Sequence, residues 1–97
     1  MLNTEGYNIP DHTFEGIKNY VLDGIPPGGF LEAVFCNNLK ESFGRADAKN
    51  REAIADIVRF LYNEIPHTCW GSPGRVKNWL QIKREEREKN GLENITT

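Results

Sequence analysis

Histidine is scarce in this chain: His12 and His67 are the only two, and cysteine is equally scarce, with Cys36 and Cys69. No HxxxH, HExxH or CxxC spacing joins them, so the sequence carries neither a metal-ligand pattern nor a cofactor motif. No Ser-His-Asp or Cys-His arrangement presents itself, which removes the usual nucleophilic constellations. Glu85 and Glu86 are adjacent carboxylates on a highly charged stretch and read as solvated. The expectation is a protein that is not an enzyme and holds no metal or cofactor. The two cysteines read as reduced thiols.

Charge of one sign is lacking too. Twelve Lys and Arg against fourteen Asp and Glu leave a net charge of −2. A protein that binds nucleic acid generically needs a basic face to displace counterions, so that class is excluded. No apolar run approaches the roughly 18–20 residues that cross a bilayer. The first ten residues, MLNTEGYNIP, show neither the basic nor the apolar region of a signal peptide. The expectation is a cytoplasmic protein with no membrane partner.

What is present reads as helix. At 97 residues the chain makes one domain with a thin core. Residues 1–9 look like an irregular arm. A first helix opens at Pro10 or Asp11, carries Phe14, Ile17, Tyr20 and Val21 at helical spacing, and stops at Gly24. A second starts near Gly29, with Phe30, Leu31, Val34, Phe35 and Leu39 on one face, and breaks near Gly44. Asp47 caps a third, whose face is Ile54, Ile57, Val58, Leu61 and Ile65, ended by Pro66. Ser72-Pro73 opens a fourth, bearing Val76, Trp79, Leu80 and Ile82. It continues as a polar extension from Lys83 to Lys89, stops at Asn90-Gly91, and leaves a frayed tail within 83–97. No strand-like alternation occurs. The fold class is all-α, a small single domain of about four helices joined by Gly/Pro-rich turns.

Three stretches are candidates for chemistry. GIPPGGF, Gly24 to Phe30, spends two prolines and three glycines on one junction. It reads as a rigid corner between helices. It also reads as an anion cradle, because Gly28 and Gly29 precede the unpaired amides of a helix start and admit backbone that other residues do not. CWGSPGR, Cys69 to Arg75, again places small residues before a helix. Trp70 there suits stacking on a base, and Arg75 suits a forked pairing with phosphate. The competing reading has Trp70 plugging the core and Arg75 solvated. In the third stretch, Asn37 and Asn38 fall mid-helix and Arg45 precedes the Asp47 cap. There the polar side chains either serve the cap or project into a pocket or subunit interface.

The stretches IPDHT, GIPPGGFLEAVFCNNLKESFGRAD and IVRFLYNEIPHTCWGSPGRVKNWL share a pattern: GxPxGxFLxAVxxNxL, then RAD, then WGSP before a last helix. Over roughly residues 9–80 the chain resembles short proteins encoded by bacteriophages and prophages, mostly of unassigned function. The resemblance implies a host-cytoplasm setting and action by stoichiometric binding. Among small non-enzymatic phage proteins in general, one class blocks a host protein and another sequesters the cyclic nucleotides of host defence, often as a symmetric oligomer.

Two functions are therefore expected in turn. One is a homo-oligomer that binds a small anionic, nucleotide-like ligand through Gly28, Gly29, Arg45, Trp70, Ser72, Gly74 and Arg75. The chain's ten aromatics, more than a small core hides, favour self-association. The other is a protein-binding module using Lys83 to Lys89, with Trp79 and Tyr62 as anchors.

Overall fold

The computed structural model describes residues 2–96, with side chains described through Asn90. Those residues are all-α, with no strand. In chain order the helices are α1 (Asp11–Asp23), α2 (Gly29–Phe35), α3 (Leu39–Arg45), α4 (Ala48–Glu64) and α5 (Pro73–Thr96), with a 3₁₀ turn at His67–Cys69 between the last two. They enclose one core built around Ile17, Tyr20, Phe35, Ile57, Phe60, Leu61 and Cys69, all fully buried.

The helix boundaries follow local chemistry. Gly24 ends α1 at φ 67°, and the amides of Gly24 and Ile25 return to the carbonyls of Tyr20 and Asn19. The Asp47 carboxylate accepts the Asn50 amide at 2.8 Å and caps α4. The Ser72 hydroxyl accepts the Arg75 amide at 3.2 Å and caps α5.

Three expectations need correction. The second helix is two. Asn37, at φ 61°, turns the chain out of α2, and the Asn38 side chain accepts the Glu41 amide to start α3. Asparagine tolerates the left-handed region and caps well, so the pair works as a break. Past that break Leu39 points outward, 69% exposed, and Gly44 lies inside α3. The buried face of α4 takes in Phe60 and leaves Val58 40% exposed. Last, α5 continues through Asn90-Gly91 instead of stopping there. One glycine costs a helix about 1 kcal/mol, and no proline follows to end it. The side chains expected in the frayed tail, 91–97, lie outside those described.

The N-terminal arm lies against α4. Arg59 donates to the Gly6 carbonyl at 2.8 Å, sits over the Tyr7 ring at 4.4 Å and pairs with Asp56. The Asn8 amide donates to the other Asp56 oxygen at 2.9 Å. The Asn8 amide and then Arg59 hold the Asp56 carboxyl below its usual range. Tyr7 meets Phe60 edge-on at 5.3 Å.

An aromatic cleft beside the start of the last helix

Pro66 stops α4, and the chain folds through one 3₁₀ turn into extended backbone at Trp70. Gly71 then adopts φ 116°, where a side chain would be strained and its Cβ would press on Arg75 Nη1 at 3.0 Å. These constraints bring the first turn of α5 back over the loop. Arg75 Nη1 donates to the carbonyls of His67 (3.1 Å) and Trp70 (3.4 Å). His67 Nε2 donates to the Tyr62 carbonyl at 3.1 Å, so the proton sits on that nitrogen. The result is a cleft of about 280 Å³ lined by Asn37, Tyr62, His67, Trp70, Gly71 and Arg75.

Its walls are mainly rings. Tyr62 and His67 lie 5.2 Å apart at 48°, and His67 meets Trp70 edge-on at 5.8 Å. Tyr62 is 66% exposed. Among the described residues no carboxylate pairs with Arg75, which leaves its charge unneutralised at the cleft. Flat apolar faces next to an uncompensated, fork-shaped cation suit a ligand that is aromatic and anionic. The Trp70 indole N–H is buried and has no acceptor among the described residues.

Gly28, Gly29 and Arg45 meet elsewhere. A cleft of about 350 Å³ between the starts of α1 and α2 and the α3–α4 junction is lined by these three and by His12, Thr13, Phe30, Asp47 and Asn50 among others. The two clefts share no lining residue. Arg45 donates to the Gly29 carbonyl at 3.2 Å and pairs with Glu41 at 3.2 Å, so its charge is already answered. Across the cleft mouth His12 stands 3.8 Å from the Asp47 carboxylate.

The expected reason for the glycines is corrected here. Gly28 has φ −70° and ψ 174°, which any residue adopts, and Gly29 is helical. A Cβ would meet nothing at Gly28, and at Gly29 only the Arg45 side chain, Cδ at 3.5 Å and Nη1 at 3.7 Å. The demanding glycine of this stretch is Gly24, not either of these.

Of the seven expected site residues, then, Trp70 and Arg75 share one cleft, and Gly28, Gly29 and Arg45 share another. Ser72 serves as a helix cap, and Gly74 is exposed on the first turn of α5 without lining either cleft. His67 and Gly71 join the first cleft unforeseen, Tyr62 joins it although it was expected only as a protein-contact anchor, and Asn37 joins it as one of the polar side chains expected either at a cap or in a pocket. The signal available for Tyr62 and His67 was the density of rings in YNEIPHTCW, folded back on itself by Pro66.

No family model matches the sequence, and no curated protein or solved structure is similar to it. The site's own chemistry must therefore carry the functional reading. Burial pushes the thiols of Cys36 and Cys69 up, away from the reactive thiolate form. Among the described residues no group of three or more His, Cys, Asp or Glu side chains is gathered to hold a metal ion. No described helix is long and apolar enough to cross a membrane.

Proposed function

We propose that this is a non-enzymatic, phage-type binding protein. It acts in the host cytoplasm as a homo-oligomer that sequesters a small anionic, nucleotide-like ligand, of the cyclic oligonucleotide kind that signals in host defence. The observation that carries the reading is the cleft of Tyr62, His67 and Trp70 around Arg75. Bases stack on such rings, each stack contributing roughly 1–3 kcal/mol. The guanidinium adds charge-assisted bonds to phosphate. The phage setting rests on the sequence resemblance, and the Gly28/Gly29/Arg45 cleft is a secondary candidate for the same ligand class.

The test is a thermal-shift panel of cyclic di- and trinucleotides followed by calorimetry on whichever raises the melting temperature. Arg75→Ala is expected to weaken binding about ten- to a hundred-fold, the worth of a charge-assisted bond of roughly 1.5–3 kcal/mol. The loss should shrink as salt rises. A panel that leaves the melting temperature unmoved throughout defeats the reading.

A second reading, a module that blocks a host or virion protein, has support from one place. Leu39, Phe43, Val58 and Tyr62 are all large, apolar or aromatic, and exposed on α3 and α4. Trp79 does not serve it as an anchor, because its indole N–H donates to the Tyr20 carbonyl at 3.2 Å and Lys83 lies over its ring at 5.0 Å.

A further inference from the structure

The loop that carries Trp70 is fastened from beneath by two aromatic residues that line no part of its cleft. Tyr20 of α1 and Phe35 of α2 are fully buried and stacked on each other, with centroids 4.4 Å apart and planes 21° apart. The Tyr20 hydroxyl donates to the Cys69 carbonyl at 2.6 Å. The Phe35 carbonyl accepts the Gly71 amide at 2.6 Å. Residues 69 and 71 flank Trp70, so one stacked pair holds its backbone on both sides. Tyr20 is itself held: its carbonyl accepts the Trp79 indole N–H at 3.2 Å and the Gly24 amide at 3.0 Å.

We infer that Tyr20 is a positioning residue of the aromatic cleft. From inside the core its hydroxyl sets the place of Trp70, and with it how tightly the cleft holds a ligand. The inference rests on reading the cleft as a ligand site. Its physical basis is preorganisation. A loop free to move must be ordered when the ligand arrives, and that cost is subtracted from affinity. Two short hydrogen bonds on either side of one residue meet that cost during folding. The bond at residue 69 has no ready substitute. Tyr20 and Cys69 are both 0% exposed, so water does not reach the carbonyl to replace the hydroxyl. Arg75 moves with the same loop, because Nη1 donates to the His67 and Trp70 carbonyls. Displacing the loop therefore disturbs the ring and the cation together.

Tyr20→Phe keeps the ring and its stack and removes the hydroxyl alone. Hydrogen exchange of the Cys69 and Gly71 amides, which donate to the Pro66 and Phe35 carbonyls, should then quicken at least tenfold, while that of α4 changes only as far as global stability changes. Affinity for the cyclic nucleotide that stabilises the wild-type protein should fall about tenfold. Ile57→Val is the control: a core change of comparable stability loss that touches none of the loop's hydrogen bonds. It should leave both readouts at wild type. Exchange at Cys69 and Gly71 within twofold of wild type in Tyr20→Phe overturns the inference, and so does an equal loss of affinity in Ile57→Val. If no nucleotide binds the wild-type protein, the ligand reading fails by itself. Loop exchange then still decides whether Tyr20 positions Trp70.

Discussion

Glycine at position 24 is required twice over. Its φ of 67° is costly for any L side chain, and a Cβ there would overlap the Lys83 Cβ of α5 and stand 2.8 Å from Cγ. Gly29 is the opposite case, helical and with room for a methyl. Gly24→Ala should lose about 1–2 kcal/mol from the backbone alone, and more from the overlap. Gly29→Ala should gain about 0.4–1 kcal/mol by restricting the unfolded chain. Urea melts of the two variants check both signs, and Gly29→Ala destabilising as much as Gly24→Ala would contradict this account. The sequence announced that residues 24–30 are special. It did not announce which glycine was forced, because that depends on where α5 crosses, some sixty residues further on.

The same limit governs whole helices. Periodicity located α1, α4 and the start of α5, because their caps and apolar spacing agree. It failed at Asn37-Asn38, where apolar residues keep helical spacing across a real break and Leu39 is carried outward. On α4 it chose the right arc and the wrong edge. At 100° per residue Val58 lies 100° from Ile57, whereas Phe60, three residues on, lies at 300°, that is, 60° to the other side. The core takes the Phe60 side because Tyr7 and Phe14 meet that ring edge-on at 5.3 and 6.0 Å. Neighbours outside the helix, Tyr7 of the arm and Phe14 of α1, thus bear on which of its residues are buried. Phe60→Ala should cost about 3–5 kcal/mol, the usual range for emptying a core aromatic site. Val58→Ala should change stability by less than about 0.5 kcal/mol in the monomer, as surface changes do. Chemical denaturation of both at low protein concentration separates the two faces.

For the whole molecule, the cleft and the apolar surface must be considered together. The cleft was legible in part: Trp70 and Arg75 are close in sequence, and a loop before a helix start is a local pattern. Tyr62 and Asn37 come to it from α4 and the α2–α3 junction, which only tertiary packing joins. Trp70 and Asn37 also line a smaller hollow with Leu39 and Val58, so the aromatic cleft adjoins the exposed apolar face. Large apolar side chains exposed near one another on a small domain are unfavourable in water and suit a surface that another chain could cover. A second copy is the partner that the proposed sequestering oligomer supplies. The face holds an exposed ring, Phe43, and a hollow walled by Leu39, Ile54, Val58 and Trp70, as a self-complementary contact requires. Sedimentation velocity at tens of micromolar should therefore show an assembly larger than the 11.1 kDa chain. Leu39→Glu should shift it to the monomer, because the leucine side chain, 69% exposed, has little to lose within one chain and a buried carboxylate would be costly between two. Its thermal melt at low concentration should stay at the wild-type value. A wild-type protein that sediments as a monomer, or a Leu39→Glu variant that assembles unchanged, would place self-association elsewhere or nowhere and leave this face to a different protein.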